Sequence, residues 1–198
     1  MSLNGLNIGI GITGSYCTFD KIVPVLEEMT RLGAEIHPII TPAVNYIDTR
    51  FGKAEYWKER IKEVTGREPI YTIVGAEPVG PKSYLDVMVV APCTGNTLAK
   101  LANGITDTAV LMAVKAQLRN VKPVVIAIST NDGLGLNAKN LGILINMKNI
   151  FLVPFGQDNP IKKENSLVAR MDLLIKTIEK AREGRQIQPI LIEYQSVQ

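Results

Sequence analysis

The sequence predicts an α/β fold of three layers, Rossmann-like in plan, on a six-stranded parallel sheet of order 3-2-1-4-5-6. Three observations predict it. Short, continuously apolar runs such as Val87–Val90 and Pro123–Ile128 read as strands buried on both faces. Longer runs between them carry apolar residues at the spacing of one helix face. The strand ends pass into clusters of Thr, Ser, Asn, Gly and Pro, the residues of strand-to-helix turns. Such alternation covers a parallel sheet on both faces, and right-handed crossovers leave few topologies.

Leu3–Ile12 reads as the first strand, and Thr13-Gly14-Ser15 follows at its carboxyl end. A helix is expected from about Thr18 to Leu32, with Ile22, Val23, Leu26 and Met29 on one face, Pro24 just past its first turn and Gly33 as its stop. Ala34–Thr41 is the second strand and ends in Thr41-Pro42. A polar helix follows over Lys53–Val64, with Trp57 and Ile61 four apart, closed by Thr65-Gly66. Pro69–Val74 makes a weak third strand, and Gly75–Ser83, with two glycines and two prolines, reads as a loop.

The fourth strand, Leu85–Val90, stops at Pro92 and turns through Cys93-Thr94-Gly95-Asn96-Thr97 into a helix with Leu98, Leu101, Ala102 and Ile105 on one face. That helix continues through Asp107–Leu118, with a break near Gly104. Pro123–Ile128 is the fifth strand and ends in Ser129-Thr130-Asn131-Asp132-Gly133. A short helix over Asn137–Met147 and a last strand, Asn149–Val153, follow. The segment Pro154–Pro160 reads as a loop. The closing helix groups Leu167, Val168, Met171, Leu174, Ile175 and Ile178 on one face. The tail, residues 185–198, is apolar only at Ile187 and Pro189–Ile192 and is expected to be loose or to cover a partner. With no linker or internal repeat, residues 1–198 read as one domain.

Composition narrows the function. A net charge of +3 with scattered basic residues argues against a nucleic-acid surface. No apolar run approaches the roughly 18 residues that span a bilayer. The N-terminus lacks a basic region followed by a long apolar segment, so no secretory signal is expected. Cys17 and Cys93 form neither a disulfide framework nor a metal spacing, and His37 is the only histidine, so a metal centre is not expected. Together these features point to a reducing cytoplasm.

Four strand ends gather small polar residues: Thr13-Gly14-Ser15, Thr41, Pro92–Thr97 and Ser129–Asn131. In an open parallel sheet all four lie at the carboxyl edge, and the first and fourth strands flank the switch point where ligands bind. The crevice offers many neutral donors and a helix N-terminus, which suits the phosphate of a mononucleotide. Gly9, Gly11 and Gly14 match G-x-G-x-x-G on paper, but they lie partly inside the strand and no acidic residue closes the second strand. The triphosphate motif G-x-x-x-x-G-K-[ST] is absent.

The run Ala91–Asp107, A-P-C-T-G-N-T-L-A-K-L-A-N-G-I-T-D, resembles the A-P-A-T-A-N-T-x-x-K-x-A-x-G-x-A-D signature of the FMN-binding flavoproteins. That family includes the homo-oligomeric cysteine decarboxylases and the flavin prenyltransferases. Ile12-Thr13-Gly14-Ser15 extends the likeness. The resemblance implies FMN held by Thr13, Gly14, Ser15, Thr41, Pro92, Cys93, Thr94, Gly95, Asn96, Thr97, Ser129, Thr130 and Asn131. It also implies a homo-oligomer, a trimer or larger.

Departures from the pattern matter. The decarboxylases carry a histidine between the second and third strands, where Asn45 and its neighbours stand here. Their P-A-M-N loop is replaced by Ser129-Thr130-Asn131-Asp132, and the R-E-x-P element of the prenyltransferases is missing. Three stretches are similar instead to a sporulation branch of the family: A-P-C-T-G-N-T, S-T-N-D-G-L-G-x-N-A-K-N and P-F-G-Q-D-N-P-x-K-K-x-N-S-L-V-A. That branch implies a role in oxidising a dihydrodipicolinate-type precursor to pyridine-2,6-dicarboxylate. A separate protein with its own NADP-binding domain takes part, in the cytoplasm of a spore-forming cell. The alternatives are another FMN enzyme, such as a decarboxylase with an unusual base, or a non-catalytic partner of that second protein.

Individual residues have plainer readings too. Thr94, Asn96 and Thr97 suit a helix cap as well as a ligand. A cysteine after a buried strand, such as Cys93, is an inert small hydrophobe unless a helix N-terminus stabilises its thiolate. His37 within a strand reads as structural. Lys100, Arg50, Lys53 and Lys162-Lys163 are surface charge by default, although a diacid would want such cations.

Overall fold

The computed structural model describes residues 3–194. β1 (Asn7–Ile12) leads through a 3-10 turn at Tyr16–Thr18 into α1 (Phe19–Arg31). β2 (Glu35–Ile40) is followed by α2 (Pro42–Tyr46), α3 (Ala54–Thr65) and two single turns, α4 (Ile73–Ala76) and α5 (Val79–Lys82). β3 (Val87–Cys93) enters α6 (Gly95–Ala102) and α7 (Ala109–Arg119). β4 (Val124–Thr130), α8 (Ala138–Ile145) and β5 (Ile150–Leu152) complete the crossover series. β6 (Phe155–Asn159), β7 (Lys163–Ala169) and α9 (Leu174–Arg182) follow.

β2, β1, β3, β4 and β5 run parallel in that order. α6, α7 and α8 pack on one face, and α1 and α9 on the other. β3 is buried along its whole length, as a central strand covered on both faces must be. The buried cluster runs from Leu3 to Ala181 and draws on every parallel strand. Gly11 lets α7 close on the sheet: a Cβ there would lie 2.8 Å from Val110 Cγ1. That close approach accounts for glycine at position 11.

Four expectations change. The sheet is mixed, not six parallel strands. The predicted third strand shrinks to one bridge, Ile70 beside Ile39, at the β2 edge. There Ile70 N–H donates to Pro38 O and Ile40 N–H to Ile70 O. Only Ile70 has a partner in the sheet, because Thr72 already caps α4 by accepting from Gly75 N. The expected loop over Gly75–Ser83 takes in the end of α4, which begins inside the predicted third strand, and the whole of α5.

The fourth change concerns the site. Residues expected as a loop and the start of the closing helix form an antiparallel hairpin, β6–β7. β5 pairs with Val124–Ile126 of β4, and β7 takes over the same edge at Ser129–Thr130. The helical spacing of Leu167, Val168 and Met171 coincides with an alternation that buries Leu167 and Ala169 and half-exposes Val168. Short apolar runs fit either period, and sheet pairing decides here. α9 therefore starts at Leu174. The described part of the tail lies along the hairpin: Phe155 N–H donates to Ile190 O at 3.0 Å and Ile192 N–H to Phe155 O at 2.9 Å. Residues 195–198 of the predicted tail lie outside the described residues.

Candidate functional site

At the carboxyl edge of the parallel strands the loops after β1, β3 and β4 meet. Thr13, fully buried after β1, donates through Oγ1 to Pro92 O at 2.6 Å and accepts from Thr94 N–H at 2.9 Å. One hydroxyl thus fastens the first loop to the third. The Ser15 and Ser129 hydroxyls lie 2.7 Å apart and join the first loop to the fourth. Thr94 caps α6, its Oγ1 accepting from Thr97 N–H. The amides of Gly95 and Asn96 stand in the first turn of α6 and have no intrahelical acceptor.

These loops form the floor of a cavity of about 670 Å3. Gly14, Ser15, Thr94, Gly95, Asn96, Ser129, Thr130 and Asn131 line it. The remaining sequence-predicted positions stand behind the wall. Thr13 and Thr97 are buried in the fastenings just described. Pro92 and Cys93 are buried at the end of β3. Thr41 lies at the start of α2, and its buried Oγ1 has no hydrogen-bond partner.

Several lining residues escape a sequence reading. Tyr16, Cys17 and Phe51 bring side chains from the first loop and from the segment before α3. Asp158, Lys163, Ser166 and Val168 belong to the β6–β7 hairpin, which walls the cavity beyond β4. Asp132 follows the fourth loop directly. The one available signal was the Lys162-Lys163 pair, which places Lys163 on the wall.

The charges at the wall are few. Lys163 Nζ and Asp158 Oδ2 form an ion pair at 2.6 Å, and the carboxylate raises the lysine's pKa. Tyr16 donates to Ala43 O at 2.6 Å, and burial raises its pKa, so it remains a neutral phenol. Burial pushes the Cys93 thiol up to about 12, so it carries no thiolate near neutral pH. Cys17 is free and exposed. His37 stands away from the cavity wall, its Nε2 2.9 Å from Asn7 Oδ1 and its ring against Tyr84. Neither His37 nor Cys93 is placed to act in the cavity. What remains there is a set of neutral donors around a helix N-terminus, two carboxylates and one ion-paired lysine.

A flavoprotein family model matches residues 1–181. The B subunit of dipicolinate synthase from Bacillus subtilis (strain 168) is 56% identical over 192 residues, which is 97% of this chain and 96% of that protein. The crystal structure of the same synthase component from Bacillus halodurans superposes with a TM-score of 0.90 at 51% identity, covering 98% of this chain and 99% of the other. The FMN-dependent cysteine decarboxylase SpaF shares the fold, with a TM-score of 0.66 at 22% identity, covering 91% of this chain and 99% of the other.

Proposed function

The chain belongs to the flavoprotein family, and from that premise we propose that it serves as the flavoprotein-type component of a dipicolinate synthase. In this reading it takes part in oxidising a dihydrodipicolinate-type precursor to pyridine-2,6-dicarboxylate during sporulation. Support comes from the 56% identity to the Bacillus subtilis protein over nearly the whole of both chains. The single structural observation that carries the reading is the convergence of the loops after β1, β3 and β4 on one cavity.

The residues present fit FMN. The cavity falls within the range of about 300–1,000 Å3 typical of cofactor pockets. Its floor combines neutral hydroxyls with the N-terminus of α6, which carries roughly half a positive charge. Gly14, Ser15, Thr94, Gly95, Asn96 and Ser129–Asn131 would hold the cofactor, backed by Thr13, Pro92, Cys93 and Thr97. Bound flavin supplies a two-electron acceptor. The chain itself orients the ligand through the fastened loops, and the hairpin wall narrows the access of water.

The same reading assigns the NADP to a partner protein, the A subunit of dipicolinate synthase. It takes the chain as one component of an oxidoreductase, a homo-oligomer of one domain over residues 1–198, working in the cytoplasm on a small dicarboxylate. Among the described residues no helix is long and apolar enough to cross a membrane. The test is reconstitution. The purified chain is mixed with the NADP-binding partner, reduced-ring precursor, FMN and NADP, and pyridine-2,6-dicarboxylate is followed by its ultraviolet absorption. Product that requires both chains is expected. Failure of the pair to form product, with both chains folded, would remove the reading.

A further inference from the structure

Behind the cavity floor a file of side-chain hydrogen bonds ends on one carboxylate. Asn103, at the exposed end of α6, donates from Nδ2 to Asn140 Oδ1 at 3.3 Å. Asn140 donates to Asn137 Oδ1 at 2.9 Å. Asn137 donates to both oxygens of Asp132, at 2.9 and 2.8 Å. Thr130 Oγ1 donates to Asp132 Oδ1 from the other side. Asn137 and Asn140 are buried. Every amide in the file points its donor toward Asp132, and the carboxyl group is the acceptor on which the file ends.

Asp132 lines the cavity. An ionised carboxyl offers about four lone-pair positions. Thr130 and Asn137 fill two on Oδ1 and one on Oδ2, which leaves Oδ2 a position for a proton. The loop is wound to fix the group: Gly135 N–H and Asn137 N–H both donate to Asp132 O.

Gly95 makes room for the cluster. A Cβ there would lie 2.6 Å from Thr130 Oγ1, 2.7 Å from Asn137 Nδ2 and 2.7 Å from Asp132 Oδ1. The flavoprotein signature has alanine at this place, together with a different loop after the fifth predicted strand. Here the glycine and the Asp132 loop depart from that pattern together, and the contact distances show why. One methyl group would occupy the place of the carboxylate cluster.

We propose that Asp132 is the proton acceptor of the cavity, and that Thr130 and Asn137 are positioning residues which hold it against Gly95. The proposal rests on the function proposed above. Converting a dihydropyridine ring into a pyridine removes two hydrogens. One ring C–H bond breaks and gives its proton to Asp132 Oδ2, while its electron pair stays in the ring as part of a new double bond. The other hydrogen leaves with its electron pair as hydride, to an acceptor of the flavin or nicotinamide class. Among the wall residues Asp158 is committed to Lys163, whereas the side-chain partners of Asp132 are neutral donors.

The test uses the full chain with its NADP-binding partner and the substitution Asp132→Asn, which keeps the shape and removes the base. Turnover is expected to fall by roughly 10²–10⁴-fold. Affinity for pyridine-2,6-dicarboxylate, measured by calorimetry on the chain alone, is expected to be equal or tighter, because a negative charge facing a dianion has gone. FMN affinity should stay close to that of the parent, and Tm should fall by only a few degrees, because the new amide nitrogen gives up one of the two bonds from Asn137. Asn137→Ala should give a smaller loss of turnover with binding retained. Turnover of Asp132→Asn within threefold of the parent would overturn the proposal. So would parallel loss of turnover, ligand affinity and thermal stability, which would mark Asp132 as purely structural. A parent chain that yields no product with its partner defeats the earlier reading and takes this proposal with it.

Discussion

Ser15 Oγ and Ser129 Oγ lie 2.7 Å apart although 114 positions separate them in the chain. This contact joins the loop after β1 to the end of β4, across the intervening strand β3. Thr13 makes the matching connection to β3 itself. The two contacts fix the floor of the cavity before any ligand arrives.

Thr13 should therefore matter to stability beyond its size. Thr13→Val keeps the shape but leaves Pro92 O and Thr94 N–H without their partner. The cost is about 2 kcal/mol, or a fall of about 4–8 °C in Tm for a chain of this length. Calorimetry measures it. An unchanged Tm would show that water replaces the hydroxyl.

Gly95→Ala should disturb the site more than the fold. The added methyl meets Thr130, Asp132 and Asn137 at 2.6–2.7 Å, and relieving such crowding costs about 1–3 kcal/mol. A crystal structure of the variant should show the Asp132 carboxylate displaced. An unmoved carboxylate would contradict the steric argument.

The two cysteines should react differently. Cys17 is exposed on the cavity wall, whereas Cys93 is sealed at the end of β3 with its pKa raised to about 12 by burial. Iodoacetamide at neutral pH should label Cys17 and spare Cys93 in the native protein, and both after denaturation, as read by mass spectrometry. FMN should slow the labelling of Cys17. Native labelling of Cys93 would show that β3 opens.

His37 should contribute a pH dependence to stability. Burial, followed by the charge of Arg67, lowers its pKa below 6.5, and Glu35 opposes this only in part. A lowered folded-state pKa means that the unfolded chain binds more protons between the two pKa values. Stability is then full above pH 6.5 and is lost as pH falls toward the folded value. Urea midpoints between pH 5 and 8 should decline toward acid less steeply in His37→Gln. Equal slopes would remove His37 as the cause.

Much of this architecture was legible in the residues. The Ile, Gly and Val runs of β1 and β3 allow little but buried parallel strands, and Thr13–Ser15 announced its turn, whereas the loop expected over Pro92–Thr97 narrows to Thr94, with Pro92 and Cys93 in β3 and Gly95–Thr97 in α6. The hairpin was hidden because Leu167, Val168 and Met171 repeat at helical spacing, and only pairing with Ser129–Thr130 shows them to lead out of a strand. With it went Asp158 and Ser166 as wall residues, since position on a wall is a product of that pairing. Phe51 was equally invisible, because its place depends on the turn Thr49–Gly52 rather than on any local pattern. Asp132 followed directly on a predicted loop, but its significance lies in contacts with Asn137 and Gly95 that sequence order does not display.

The most direct test of the central claim, that three distant loops build one flavin site, is a titration of the purified chain with FMN monitored by flavin fluorescence. Saturable quenching at one FMN per chain, weakened by Ser15→Ala, is the predicted result. Fluorescence that stays at the free-flavin value throughout the titration, with the protein folded, would contradict it.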